Sequence, residues 1–235
     1  MADKRLLLLS NSTNAGGTYL EYPREEIRAF LGGKVRRVLF IPYAAVRISY
    51  ERYAGIVGEA FGEMGFGIEP IHTVSDPKSA VAQAEAIVIG GGNSFHLLYY
   101  LYAEDILDGI RARVLDGIPY IGWSAGANIA CPTMRTTNDM PIVEPPSLAS
   151  LNLVPFQVNP HYIDTHPPGH AGETRDERLA EFIEVNRETT VIGLREGTML
   201  HVEGGTIRLT GGKPARIFKY ACEPVDTMDV TDITR

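Results

Sequence analysis

Short continuous apolar runs alternate along the chain with longer segments in which apolar residues recur every three or four positions. An uninterrupted apolar run is typical of a strand buried on both faces, whereas the wider spacing is typical of an amphipathic helix. Four runs therefore predict strands, at Arg5 to Ser10, Val35 to Ile41, Ala86 to Ile89 and Ile118 to Ile121.

Helical spacing fills several of the segments between and after these runs. It predicts helices over Tyr50 to Met64, Glu104 to Leu115 and Glu173 to Val185. Alternating strands and helices indicate an α/β fold, in which crossover helices connect the strands of a mostly parallel central sheet. The length of 235 residues fits one domain that spans residues 1–235.

The last part of the chain has a different pattern. The segment Pro132 to Pro168 is rich in proline, which breaks helices and removes backbone donors, so it is predicted to be mainly ordered loop. A strand is predicted at Thr190 to Leu194. Two more, Met199 to Val202 and Thr206 to Leu209, flank a glycine turn and predict a hairpin at an antiparallel edge of the sheet.

Charge and composition exclude some classes of partner. The net charge is −7 and no basic run exceeds two residues, which argues against a general affinity for nucleic acid. The N-terminal apolar run, Leu6 to Leu9, is shorter than the roughly 7–15 residues of a secretory signal or the about 20 of a membrane span. We therefore expect a cytoplasmic protein with no membrane partner, in which Cys131 and Cys222 are free thiols.

The stretch Gly122-Trp123-Ser124-Ala125-Gly126 matches the G-x-S-x-G pattern of a nucleophile elbow. A chance turn or a helix-capping serine would match it equally well. However, a predicted strand runs directly into it and a helix start of small residues follows, so the context favours a nucleophile. The backbone N–H of Ala125 would then point at the oxyanion that develops on the substrate.

A second glycine-rich turn, Gly90-Gly91-Gly92-Asn93, follows a buried apolar run. Such a turn exposes backbone N–H groups to an anion, and in a serine hydrolase one of them would complete the oxyanion hole. We expect Gly92 in that place, with Gly91 as the alternative. A dinucleotide loop is excluded because Phe95 occupies the position of the last glycine of G-x-G-x-x-G. A plain strand-to-helix turn capped by Asn93 stays open on these residues alone.

A serine hydroxyl needs a base and an acid that orients the base. His161 is the favoured base because the proline-rich segment around it is expected to fold back over the elbow. Asp139, just after the elbow helix, and Glu196, directly after an apolar strand, are alternative orienting acids, and these residues alone do not decide between them.

The remaining histidines carry weaker signals. His96 is expected to be packed or exposed on its helix, and His72 and His201 to be structural or to face solvent. His166 and His170 are interpreted as loop residues, because no third ligand of clear spacing accompanies them. Neither a metal nor another cofactor is expected.

Several longer stretches together resemble peptidase E, the α-aspartyl dipeptidases of serine peptidase family S51. They occur in order over nearly the whole chain, and the Trp-Ser-Ala-Gly-Ala-Asn and Arg-Thr-Thr-Asn-Asp-Met-Pro sequences are highly specific. The matching stretches are Leu7 to Thr13, Gly90 to Asn93, Tyr120 to Asn128, Arg135 to Val143, Asn159 to His161, Gly172 to Arg175 and Val191 to Leu194.

This resemblance implies a three-layer α/β/α fold like that of the class I glutamine amidotransferases, which is flavodoxin-like. It implies hydrolysis of Asp-X dipeptides without a metal, with Ser124 as the nucleophile and His161 as the base. Asp139 is the usual third member of this family's site and is preferred as the acid that orients His161, with Glu196 as the alternative.

The resemblance also implies that Arg175 binds the aspartyl carboxylate, since a guanidinium binds a carboxylate through two parallel hydrogen bonds. Asn93 is a further predicted substrate contact. On residues alone, Arg175 would more simply be a surface charge on an acidic helix.

Small peptides are the expected partners, and the expected assembly is a monomer or a homodimer. The alternative functions are another serine hydrolase of this fold, resembling cyanophycinases or esterases, and a non-enzymatic anion-binding α/β domain.

Overall fold

The computed structural model describes residues 4–164, 169, 171–231 and 233. Strands and helices alternate through the first half, as the apolar pattern predicts. The strands are β1 (Arg5–Leu9), β2 (Arg37–Ile41), β3 (Gly67–Pro70), β4 (Ile87–Ile89), β5 (Pro119–Trp123), β6 (Gln157–Tyr162), β7 (Val191–Arg195), β8 (Met199–Glu203), β9 (Thr206–Thr210), β10 (Ala215–Phe218) and β11 (Val225–Thr227). The helices are α1 (Arg24–Leu31), α2 (Tyr50–Glu63), α3 (Pro77–Gln83), α4 (Ser94–Ala103), α5 (Leu107–Leu115), α6 (Ala125–Ile129) and α7 (Arg175–Val185).

The central sheet has the strand order β3-β2-β4-β5-β1-β8-β9. Its first five strands are parallel, whereas β8 runs antiparallel to β1 and pairs with β9 in a hairpin. The mostly parallel sheet and its antiparallel edge are therefore as predicted. No helix of the described residues is both long enough and apolar enough to cross a membrane.

Both faces of this sheet are covered, which explains the continuous apolar runs. Successive residues of β1 point to opposite faces, so Leu6 and Leu8 enter one apolar cluster while Leu7 and Leu9 enter the other. All four side chains are fully buried. The carboxyl ends of β1, β4 and β5 therefore lie side by side at one edge of a rigid sheet, where ligands bind in open α/β folds.

A second sheet, with the order β11-β10-β7-β6, corrects the prediction for the proline-rich segment. Residues up to Phe156 form loop as expected, but Gln157–Tyr162 is a strand parallel to β7. Pro160 is compatible with this strand because β6 is at the edge of the sheet, where a missing N–H leaves no neighbouring strand unpaired. The first sheet's predicted hairpin is thus accompanied by a separate four-stranded sheet.

One helix bound differs from its prediction, whereas the state of the cysteines does not. The helix predicted from Glu104 begins only at Leu107, because Asp105 adopts a positive φ of 50° between α4 and α5. Cys131 and Cys222 are both free, as predicted.

Candidate active site

Ser124 lies in a tight turn between β5 and α6, with φ 52° and ψ −111°. Positive φ is costly for a residue with a Cβ atom and is typical of strained functional sites. The two glycines of the motif make the turn possible: a Cβ on Gly122 would lie 2.4 Å from the carbonyl oxygen of Gly126, and one on Gly126 would lie 2.2 Å from that of Ile89. The predicted elbow geometry is therefore present.

The side chains of Ser124, His161 and Glu196 form a hydrogen-bonded row. Nε2 of His161 lies 3.0 Å from Oγ of Ser124, and Nδ1 of the same ring lies 2.7 Å from Oε1 of Glu196. An ionised carboxylate only accepts hydrogen bonds, so this contact assigns the ring proton to Nδ1. Nε2 is then free to accept the serine proton, which is the arrangement a general base requires.

His161 reaches the serine through a bulge in β6. The register between β6 and β7 shifts between Pro160 and Tyr162, and His161 has a φ of 52°. Bulges re-aim side chains near active sites. Ser124 and His161 are thus both held in backbone conformations that ordinary residues avoid.

The segment Leu9–Asn11, at the carboxyl end of β1, contacts all three members of this row or their immediate neighbours. The carbonyl of Leu9 accepts from N–H of Ser124 at 3.1 Å, and the hydroxyl of Ser10 accepts from N–H of His161 at 2.9 Å. Oδ1 of Asn11 accepts from N–H of Gly197, next to Glu196, at 2.9 Å. Ser10 also donates to the carbonyl of Leu194 at 2.6 Å. One short segment at the end of β1 therefore connects the central sheet to β6 and β7 of the second sheet.

A second connection joins the elbow helix to the strand that bears His161. Nδ2 of Asn128 donates to the carbonyl of Val158 at 3.0 Å, and N–H of Val158 donates to Sγ of Cys131 at 3.1 Å. Asn128 and Cys131 are fully buried. Burial raises the pKa of the Cys131 thiol to about 12, so this cysteine serves packing rather than chemistry.

The glycine-rich turn lies against the elbow. A Cβ on Gly91 would lie 3.0 Å from Cβ of Ser124, and Gly92 has a φ of 138°. The buried hydroxyl of Tyr53 donates to the carbonyl of Gly91 at 3.1 Å and accepts from Nε1 of Trp123 at 3.1 Å. Because the peptide group is planar and trans, N–H of Gly92 points away from Tyr53. Ala125 is the first residue of α6, where N–H groups have no partner within the helix.

Asp139 lies in another hydrogen-bond group. Its Oδ2 accepts from the backbone N–H and the hydroxyl of Ser94, both at 2.7 Å, and from the hydroxyl of Thr137 at 3.0 Å. Asp139 therefore fixes the start of α4. Nδ1 of His161, the ring nitrogen that an orienting acid would contact, faces Glu196. These contacts favour Glu196 over Asp139 as the residue that orients His161.

Asn93 caps α4, as the alternative interpretation of the glycine-rich turn predicted. Oδ1 accepts from N–H of His96 at 3.0 Å, and Nδ2 donates to the carbonyl of Met140 at 2.8 Å. The amide thus joins the glycine-rich turn to the loop at residue 140. Its predicted contact with substrate stays a prediction.

Arg175 is the first residue of α7 and is half-buried. Among the described residues no carboxylate lies within ion-pair distance of it, whereas Arg178, one turn later, pairs with Glu173 at 3.6 Å. Burial and the nearby Arg178 lower the pKa of Arg175 from its usual value. A guanidinium in such surroundings is stabilised by an anion.

The other histidines make contacts away from Ser124. Nδ1 of His96 lies 2.6 Å from the carbonyl oxygen of Tyr43, and His72 and His201 pair with acidic residues, Glu51 at 3.7 Å and Glu26 at 3.0 Å. His166 and His170 lie outside the described residues. Within the part of the chain that is described, no three residues of metal-ligating type come together.

A cavity of about 630 Å³ opens beside Ser124 and His161. It is lined by the loop after β1, by the loop between β2 and α2, and by Gly91, Gly92 and Asn93. Its volume suits a small ligand such as a dipeptide. Arg175 is not among the residues that line it.

Three positioning residues were not predicted from the sequence, namely Ser10, Asn11 and Tyr53. A signal existed for the first two, because polar side chains directly follow the fully buried run Leu6 to Leu9. Tyr53 carried none, since its spacing on α2 resembles that of an ordinary core residue.

Comparison with known proteins identifies the family of the chain. The model of peptidase family S51 matches residues 6–210. Peptidase E of Nostoc sp. is 51% identical over 231 residues, covering 96% of each chain, and peptidase E of Streptomyces coelicolor is 45% identical, covering 97% of this chain and 93% of its own.

A crystal structure of a peptidase from an acI-B1 Actinobacterium superposes with a TM-score of 0.67 at 18% identity, covering 97% of this chain and 95% of that one. The predicted fold, similar to that of the class I glutamine amidotransferases, is thereby confirmed. Since the family model covers most of the chain and the relatives are half identical to it, the chain belongs to peptidase family S51 and is a serine-type peptidase, a hydrolase.

Proposed function

We propose that this peptidase hydrolyses Asp-X dipeptides through an acyl-enzyme formed on Ser124. The observation that carries the proposal is the 3.0 Å contact between Nε2 of His161 and Oγ of Ser124. We assign Glu196 as the acid that orients the imidazole, because its carboxylate occupies the other ring nitrogen. The free thiols Cys131 and Cys222 fit the reducing cytoplasm, which we propose as the compartment.

The reaction has two steps. Nε2 of His161 takes the hydroxyl proton of Ser124 as Oγ bonds to the carbonyl carbon of the Asp-X peptide bond. N–H groups of Gly92 and Ala125 stabilise the oxyanion, and each such donor is worth about 10²–10³ in rate. His161 then protonates the leaving amine, the C–N bond breaks, and an aspartyl ester remains on the serine. Water, deprotonated by the same imidazole, hydrolyses this ester and restores the hydroxyl.

The specificity is assigned to Arg175. This half-buried guanidinium lacks a carboxylate among the described residues, and its fork geometry matches an aspartyl side chain. The family relationship supports the same assignment, since relatives that are half identical over the full chain are peptidase E proteins.

The decisive test is the Ser124→Ala variant, assayed for Asp-Leu hydrolysis and for labelling by a fluorophosphonate probe. We expect turnover to fall by at least about 10⁴-fold and labelling to disappear, because no other group supplies the attacking oxygen. The control is Ser147→Ala on an exposed loop, which should keep both properties. Wild-type turnover in Ser124→Ala would refute the mechanism, and a wild type that resists the probe would show that the hydroxyl of Ser124 is not activated.

The specificity is tested by Arg175→Ala, with Asp-Leu and Ala-Leu as paired substrates. Losing one charge-assisted contact should reduce the preference for aspartate by about 10- to 100-fold. Arg178→Ala is the matched control, since it removes the same charge from the same helix. If Arg175→Ala still prefers Asp-Leu as strongly as the wild type, another residue recognises the aspartyl carboxylate.

A second comparison tests the reaction class in the wild type. Faster cleavage of simple esters than of Asp-p-nitroanilide would indicate an esterase.

A further inference from the structure

The cavity beside Ser124 contains one permanently charged side chain, Arg47, among the described residues that line it. Arg47 lies in the loop between β2 and α2, and neither an ion pair nor a side-chain hydrogen bond links it to another described residue. Within the described part of the chain, no acidic side chain lines the cavity. The cavity is therefore suited to a ligand that carries a negative charge.

Arg47 differs in its surroundings from Arg175, the arginine proposed to bind the aspartyl side chain. Arg47 is exposed at the rim of the cavity, whereas Arg175 is half-buried and does not line it. Apolar side chains accompany Arg47 at the rim: Val46 is 50% exposed, Ile48 37% and Ile142 49%. An open apolar rim can contact ligand side chains of different sizes. A carboxylate next to such a side chain in the ligand would then bind the guanidinium of Arg47.

A dipeptide has this combination of groups on its leaving residue. Once Asp-X lies with its carbonyl at Ser124, residue X carries both a side chain and a free carboxylate about one residue away from the reacting carbon. In a longer peptide or a blocked one that carboxylate is replaced by a neutral amide. An arginine in the same cavity that binds this carboxylate would therefore distinguish dipeptides from other aspartyl compounds.

We propose that Arg47 binds the C-terminal carboxylate of the leaving residue, and that Val46, Ile48 and Ile142 contact its side chain. This inference rests on the proposed function and adds the leaving side of the substrate to it. The favoured substrates are Asp-X dipeptides with an apolar X and a free carboxylate, whose amides bind more weakly because Arg47 then lacks its anion.

The test compares Asp-Leu with Asp-leucinamide, which differ only in the terminal charge. The wild type should have a kcat/KM for Asp-Leu about 10- to 100-fold above that for the amide, mainly through KM. In Arg47→Ala this ratio should fall towards one through loss on Asp-Leu, and Arg47→Lys should restore part of it. Arg52→Ala, an exposed arginine in the first turn of α2 that does not line the cavity, should keep the wild-type ratio.

The outcomes separate this inference from the proposed function. Equal efficiency of the wild type on both compounds, or an unchanged ratio in Arg47→Ala, would overturn the role of Arg47 and leave Asp-X hydrolysis standing. A loss of the Asp-Leu over Ala-Leu preference in Arg47→Ala would also overturn it, since Arg47 would then bind the aspartyl side chain. A wild type inactive towards every Asp-X compound would overturn the proposed function and this inference together.

Discussion

The two halves of the site are held in different ways. Ser124 directly follows β5 of the central sheet, and its neighbours Trp123 and Ala125 are each 1% exposed. His161 and Glu196 belong to the edge of the four-stranded sheet and the turn after β7, and their side chains are 40% and 48% exposed. Buried neighbours and the hydrogen bond to Leu9 therefore hold Ser124, whereas the side chains of His161 and Glu196 are much more exposed to solvent.

Hydrogen bonds replace packing on the exposed side. Ser10 and Asn128 bind the backbone of β6, and Asn11 binds the backbone beside Glu196. Each of these three polar side chains is itself buried, so its bonds are not exchanged with water. The comparison teaches that an exposed base can be positioned accurately when its backbone, rather than its ring, is bonded to a buried scaffold.

The largest effect expected on the exposed half comes from Glu196→Gln. The amide can donate to Nδ1 and so favour the wrong tautomer, and it cannot stabilise the imidazolium, so kcat should fall by about 10²- to 10⁴-fold. The measurement is the kcat and KM of Asp-Leu hydrolysis, with KM expected to change much less than kcat.

Asp139→Asn is the matched variant for this experiment. It removes the carboxylate that accepts from Ser94 and Thr137, so it should lower the free energy of unfolding by about 1–3 kcal/mol while affecting kcat much less than Glu196→Gln. The reverse pattern, with Asp139→Asn inactive and Glu196→Gln active, would show that Asp139 orients the base.

A smaller effect is expected from Ser10→Ala, which removes the acceptor for the backbone N–H of His161 and the donor to Leu194. A small displacement of the ring should reduce kcat by about 10- to 100-fold, with little change in KM. The labelling rate of Ser124 by a fluorophosphonate should fall in parallel, because that reaction needs the same proton acceptor.

Ser150→Ala is the control for Ser10→Ala, since it deletes an equally buried hydroxyl that bonds to the carbonyl of Leu148. Both variants should lose similar stability in thermal unfolding, and only Ser10→Ala should lose kcat. Equal kcat losses in the two variants would mean that Ser10 acts through general stability and does not position His161.

The same contrast explains how far the sequence could predict the site. The elbow is a local feature: strand, glycine spacing and helix start occur within a few residues of Ser124, and its geometry follows from close backbone approach. The parallel sheet was equally predictable, because burial on both faces leaves a continuous apolar run in each strand.

The exposed half was less predictable because its contacts are long-range. Pro160 indicated a loop, and only the pairing of β6 with β7 at a sheet edge makes a strand there possible. Asp139 and Glu196 were equally plausible, since nothing near either residue in the sequence shows which one reaches His161. The family resemblance identified His161 but favoured Asp139, whose carboxylate is occupied by Ser94 and Thr137.

The segment Leu9–Asn11 has a consequence for the order in which activity can arise during synthesis. Its partners are the backbone at Ser124, His161, Leu194 and Gly197, so they become available only as the ribosome completes successive portions of the chain. A nascent polypeptide that ends before Glu196 has its elbow sequence but lacks the acid proposed to orient His161. Under the proposed mechanism, activity therefore requires translation of nearly all of this framework.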